Sequence, residues 1–217
     1  GFRLIQTSSS EVYGSAIYSP IDENHPLQGQ SPYSATKIAA DHLSLSFYNS
    51  FNLPISIIRP FNTYGPRQSN RAVIPSIILQ IAKKKKIIQL GLTTPTRDLS
   101  YIDDTINGFV KTLGKKNIFG QVINIGQNYE ISIINLYKTI GKLMNENIPI
   151  KKEQKRFRPI KSEVMRLKCD NTKASSLLGW KPKYNNQKGL EKGLKKTIEW
   201  FLSSENLKIY NNKDFNL

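Results

Sequence analysis

Phe2-Arg3-Leu4-Ile5-Gln6-Thr7-Ser8-Ser9-Ser10-Glu11-Val12-Tyr13-Gly14 decides the reading: an apolar strand over residues 2–8 runs directly into a hydroxyl-rich turn that carries one carboxylate. In an open α/β sheet, ligands sit beyond the carboxyl ends of the strands, so these hydroxyls and Glu11 fall where chemistry is expected. Taken alone, the stretch is equally a Ser-rich bend with an incidental acid. Downstream, a polar loop reaches about Ser31, and Pro32 opens a helix to about Phe51, proline being tolerated in a first helical turn. Ile55–Arg59 reads as the next strand, and a long loop from Phe61 to Ala72 precedes a helix from about Val73 to Lys84. Short strands follow at 87–90 and 99–101, then a helix capped by Asp103 or Asp104, a strand at 121–125, and a helix at 133–144 capped by Ser132. A basic loop, a short helix near 172–178 and an amphipathic helix near 190–202 complete the chain. Strands alternating with helices predict a parallel α/β sheet. Residues 1–60 with about 121–126 are assigned to part of a doubly wound sheet, and residues 61–120 and 127–217 mainly to a smaller lobe.

At 217 residues and 38% hydrophobic content, the chain is long and apolar enough for a real core. The formal net charge of +16 raises nucleic-acid binding. The charge is mostly Lys spread over the second half, without interleaved aromatics, so no nucleic-acid partner is expected. No apolar run is long enough to span a membrane, no signal-peptide pattern occurs, and a single cysteine, Cys169, excludes an internal disulfide. A reducing cytoplasm is the compartment expected. The opening on Gly1 and an apolar run predicts a chain cut inside a domain, exposing apolar edges.

Tyr33-Ser34-Ala35-Thr36-Lys37 places Tyr and Lys on one helix face. A free phenol, with a pKa of about 10, is a poor base, and a neighbouring ammonium favours its phenolate. Alone, this spacing is common and equally an exposed helix pair. The order matters more: a strand ending in hydroxyls, a loop, then Tyr-x-x-x-Lys resembles the Ser/Thr–Tyr–Lys triad of the short-chain dehydrogenase/reductase superfamily, in its extended, nucleotide-sugar-modifying group. Further segments resemble that group in order: Arg59-Pro60-Phe61-Asn62-Thr63-Tyr64-Gly65-Pro66-Arg67-Gln68, Val73-Ile74-Pro75, Thr96 to Asp104, and Asp170-Asn171-Thr172-Lys173-Ala174 with Leu178-Gly179-Trp180-Lys181-Pro182. The resemblance runs from residue 2 to about residue 200. It implies an α/β, Rossmann-like fold whose first half, with the glycine-rich dinucleotide fingerprint, is not in this sequence, and whose smaller lobe binds substrate.

The same resemblance implies NAD as cofactor, against Thr7, Tyr33, Lys37, Pro60 and Asn62. It implies that Tyr33 takes the proton of the sugar 4-hydroxyl, that Ser9 bonds the same oxygen, and that Lys37 tunes Tyr33. Ser9-Ser10-Glu11 stands where dehydratases of the group carry Thr-Asp-Glu or Thr-Ser-Glu, so Glu11 becomes the base for C5 and Ser10 replaces the usual acid. A 4,6-dehydratase is the leading reading, with UDP- or GDP-N-acetylglucosamine of the legionaminic-acid type as substrate. A 4-epimerase or a nucleotide-glucuronate decarboxylase is the alternative, and a non-catalytic sugar-nucleotide- or RNA-binding protein the third. Asn62, Arg67, Val73, Ile74, Pro75, Arg97, Arg158 and Arg166 are the substrate-binding candidates, Arg97 and Arg158 foremost because a planar guanidinium suits phosphate. Arg71 and Arg156 are read as solvated charges. His25 and His42 show no partner pattern, and Cys169 has no second ligand, so no metal is expected. Ile38, Ala39, Leu43, Leu45 and Phe47 leave several apolar faces on the Tyr-x-x-x-Lys helix, where the resemblance places a homodimer interface.

Overall fold

The structure is a computed structural model that describes residues 2–156, 159 and 162–211. β1 (Leu4–Thr7), β2 (Ile55–Pro60) and β6 (Val122–Ile125) form one sheet in the order β1-β2-β6, every pair parallel. β2 is buried from Ile55 to Arg59 without alternation, the pattern of a central strand covered on both faces. α1 (Pro32–Phe51) crosses from β1 to β2, and α3 (Ile102–Val110) precedes β6. β1 lies at an edge of this sheet, with Phe2 and Leu4 exposed.

A second sheet, in the order β3-β5-β7, joins β3 (Asn62–Tyr64) and β5 (Thr96–Tyr101) in parallel and adds β7 (Glu130–Ser132) antiparallel. β4 (Ile88–Leu90) and β8 (Ile150–Lys152) pair in parallel beside it. The largest apolar cluster lies here, where α2 (Val73–Ala82), α4 (Ile133–Leu143) and α6 (Asn186–Leu202) pack together through Ile77, Ile78, Leu136, Ile140, Leu194 and Phe201. A separate cluster seats α5 (Thr172–Leu178) and Trp180 on β6 through Ile123, Ile125 and Ala174. No helix among the described residues is long and apolar enough to cross a membrane.

The structure departs from the sequence expectations in short elements. β3 lies inside the expected loop 61–72, because three residues acquire strand geometry only by pairing with β5. β7, β8 and a last helix, α7 (Ser204–Asn211), were likewise not expected. Ser132 does cap α4, its Oγ accepting the Asn135 N–H. Neither Asp103 nor Asp104 caps α3: Tyr101 holds the N-cap position, and the Asp104 carboxylate accepts instead from the backbone N–H of Lys183 (2.8 Å) and Tyr184 (2.9 Å) and from Gln127 Nε2 (3.1 Å). Trp180 Nε1 donates to the Asp104 carbonyl at 3.0 Å, so one residue of α3 fastens the Leu178–Tyr184 segment.

Candidate active site

The turn after β1 is fixed from both ends. Ser9 has extended backbone angles and N-caps a 3-10 turn over Ser10–Tyr13, its Oγ accepting the Glu11 N–H at 3.2 Å. Val12 and Tyr13 are fully buried, and Gly14 closes the turn at φ +63°, where a Cβ would lie 2.9 Å from Gln28 Cβ. Ser9 and Glu11 are half-buried at the strand end, whereas Ser10 turns inward and is only 1% exposed.

α1 starts with a capping box: Ser31 Oγ accepts the Ser34 N–H at 3.1 Å, and Ser34 Oγ accepts the Ser31 N–H at 2.9 Å. That start leaves Tyr33 53% exposed, and Lys37 one turn on. Lys37 Nζ donates to the Thr7 carbonyl at 2.9 Å and lies 5.9 Å from the Tyr33 ring centroid. The ammonium therefore ties the Tyr33 face of α1 to the last residue of β1. Lys37 thus meets the carboxyl end of β1, the parallel strand that the Ser9–Glu11 turn follows.

A cavity of about 480 Å³ opens in the second sheet, walled by Asn62, Val73, Ile74, Leu90, Arg97 and Arg156 among others. This volume suits a small organic ligand. Arg97 Nη1 bonds the Thr96 carbonyl at 2.8 Å and Nη2 bonds Glu163 Oε1 at 3.0 Å, both side chains mostly buried. Glu163 also connects the cavity to the turn, its carbonyl accepting from Ser15 Oγ at 3.3 Å. Asn62 opens β3, two residues past the end of β2, and its Oδ1 is buried with no hydrogen-bond partner among the described residues.

Of the substrate-binding candidates, Asn62, Val73, Ile74 and Arg97 lie on this cavity. Pro75 is buried in α2. Arg67 is exposed at φ +66°, and Arg166 holds Glu130 in a bidentate pair. The guanidinium of Arg166, chiefly by its hydrogen bond, keeps the Glu130 carboxyl below its ordinary range. Arg158 lies outside the described residues. Thr7 is exposed and Pro60 half-buried at the ends of β1 and β2.

Two arginines read as solvated charges both line the cavity. Arg71 is exposed on it, and Arg156 pairs with Glu153 and reaches Ser76 Oγ at 3.3 Å. Residue type and spacing carry no signal for this, since the loop 153–156 meets α2 only through the tertiary fold. His25 also departs from expectation. It is 2% exposed, its Nε2 accepts the Ile17 N–H at 2.9 Å, and its Nδ1 faces the Pro26 carbonyl at 2.9 Å, which requires the Nδ1–H form. Cys169 is fully buried, and that burial pushes its thiol well above its ordinary pKa, as suits an inert core residue.

Three comparisons bear on this arrangement. The model of the family described as GDP-mannose 4,6 dehydratase matches residues 1–193. The chain is 33% identical over 205 residues to dTDP-D-glucose 4,6-dehydratase of Homo sapiens, covering 92% of this chain and 56% of that protein. The crystal structure of dTDP-glucose 4,6-dehydratase from Bacillus anthracis in complex with NAD superposes with a TM-score of 0.84 at 29% identity, over 94% of this chain and 62% of that one. UDP-glucuronic acid 4-epimerase from Bacillus cereus, solved with UDP-glucuronic acid and NAD, superposes with a TM-score of 0.81 at 33% identity, over 90% of this chain and 60% of that one. The chain thus spans less than two thirds of the length of each of these relatives.

Proposed function

This chain belongs to the GDP-mannose 4,6 dehydratase family of nucleotide-sugar epimerases and dehydratases, and from that premise we propose that its whole protein is an NAD-dependent nucleotide-sugar 4,6-dehydratase. The observation that carries the reading is the Lys37 Nζ to Thr7 carbonyl bond, which holds the Tyr33–Lys37 face at the strand end whose next turn presents Ser9 and Glu11.

The groups on this chain suit its share of an NAD site: the exposed Tyr33 phenol, the Lys37 ammonium, the Thr7 and Pro60 strand ends, and the buried, unpartnered Asn62 Oδ1. Bound there, NAD would supply the hydride acceptor for C4 and the hydride donor for C6. Tyr33, with Lys37 favouring its phenolate, removes the proton of the 4-hydroxyl, and Ser9 bonds that oxygen. The resulting C4 ketone acidifies C5, and Glu11 takes the C5 proton. Ser10 is buried, which leaves Glu11 to hand its proton to the departing C6 hydroxyl, released as water. The proton that Tyr33 took from the 4-hydroxyl is delivered to C5, and the product is a 4-keto-6-deoxy sugar. Arg97 and Arg156 on the cavity supply phosphate-matching guanidinium groups, and Val73 and Ile74 an apolar wall for the nucleoside.

N-acetylglucosamine linked to UDP or GDP is the substrate we favour, on the resemblance of Pro26 to Tyr33 and of the Arg59–Ser69 segment to dehydratases of that class. A homodimer through α1 is supported by its exposed Leu43, Phe47 and Phe51. The test is the mass of nucleotide sugars incubated with the whole protein. Loss of one water from UDP- or GDP-N-acetylglucosamine, abolished by Glu11→Gln, is the expected result. Water lost only from dTDP-glucose would replace the substrate. Isomerisation at constant mass, or loss of carbon dioxide from a glucuronate, would replace the reaction.

A further inference from the structure

The residues that α1 buries fully are polar: Ser34, Asp41 and Ser44. Asp41 follows Tyr33 and Lys37 at intervals of four and so shares their face. Its carboxylate is 1% exposed and meets Arg59 of β2, itself 3% exposed, with Nε at 3.0 Å and Nη2 at 2.9 Å from the same oxygen, Oδ2. Ser8, the residue before Ser9, donates its Oγ to that oxygen at 2.8 Å. On the other side, Arg59 Nη1 donates to the Tyr13 hydroxyl at 2.9 Å, and that hydroxyl donates to Asn124 Oδ1 of β6 at 2.7 Å. The residue before the Ser9–Glu11 turn is therefore held by the Asp41 carboxylate of α1, and Tyr13 beyond the turn by the Arg59 guanidinium paired with it.

We propose that the Asp41–Arg59 pair, with Ser8 and Tyr13, is a positioning device that sets the Tyr33–Lys37 face against the Ser9–Glu11 turn. A buried ion pair is weak as a source of stability, because desolvation offsets its attraction. Its directional bonds remain, and they act on two segments that must meet with sub-ångström accuracy around one sugar carbon. An apolar contact could seat α1 on β2, but it would not fix the rotation of the helix or the height of the turn. Neither Asp41 nor Arg59 touches the reacting groups in this scheme. The inference rests on the dehydratase reading above, and its test is arranged to separate the two.

The whole protein would be assayed with Ser8→Ala and with the double variant Asp41→Leu/Arg59→Met, which removes both charges together and so strands neither. Small misplacements of catalytic groups can lower turnover by about a hundredfold. The expected result is a kcat lower by at least roughly tenfold in the double variant and by a smaller factor in Ser8→Ala, with KM and cooperative unfolding little changed. Wild-type kcat in a folded Ser8→Ala protein would overturn the proposal, as would KM rising in place of the fall in kcat. If the double variant does not fold, Ser8→Ala decides alone, since it keeps the ion pair. A wild-type protein that turns over no nucleotide hexose would instead sink the dehydratase reading.

Discussion

Replacing Asp104 by alanine should destabilise the fold by about 4 kcal/mol, because its carboxylate is the acceptor for two backbone N–H groups and one side-chain amide at 2.8–3.1 Å. Asp104 is 2% exposed, so water does not replace those bonds cheaply. A hydrogen bond to a charged group contributes about 1.5–3 kcal/mol, and each buried N–H left without a partner costs about 1–3 kcal/mol. The alanine variant loses the carboxylate's bonds and orphans the Lys183 and Tyr184 N–H groups, while gaining the solvation of a removed charge. The net of these terms is about 4 kcal/mol. An N-cap residue, the role its position in the sequence predicts, would be worth only about 1 kcal/mol. Denaturant unfolding of the whole protein, followed by Trp180 fluorescence in a Trp200→Phe background, separates the two, because Trp180 Nε1 bonds the Asp104 carbonyl and reports on the segment directly. A loss below about 1.5 kcal/mol at unchanged m-value would refute the clamp and return Asp104 to a cap. Asp104→Asn, which keeps one acceptor oxygen, should fall between wild type and alanine.

Two other predictions follow from packing and charge. Gly193 of α6 lies where a Cβ would fall on the Tyr64 hydroxyl and 3.0 Å from Tyr101 Cδ2, so Gly193→Ala should destabilise by about 1–3 kcal/mol despite alanine's better helix propensity. Tyr64→Phe in the same chain should recover part of that loss; independent, additive effects in a double-mutant cycle would contradict the contact. Burial, acting against the N–H donors of Gln127 and Cys169, pushes the Asp98 carboxyl up to about 7 from an ordinary 3.8. Between these values the folded chain holds a proton that the unfolded chain has released, so stability falls as pH rises from about 4 to 7. Melting temperature against pH should show that fall in wild type and a flatter profile in Asp98→Asn; equal slopes would disprove it.

The α/β class, the long elements and the residues proposed for chemistry are all legible in the sequence. Local physics suffices there. Pro32 and the Ser31–Ser34 pair define the start of α1, and the apolar run of β2 marks a strand covered on both faces. The hydroxyls after β1 and the Tyr33–Lys37 spacing are also local, and the Lys37 to Thr7 bond joins two segments already in view. What distant backbone contributes emerges only when the chain is folded. β3 is a strand because β5 lies beside it, and Arg156 lines the cavity because its loop folds onto α2. Asp104 acts 79 residues away on the Lys183 N–H, and His25 owes its tautomer to backbone that closes around it. Asp41 reads as one more polar residue on a helix, and Arg59 as the first letter of a motif. Their pairing 18 positions apart, buried beside the Ser9–Glu11 turn, depends on the packing of α1 against β2, which no local pattern encodes.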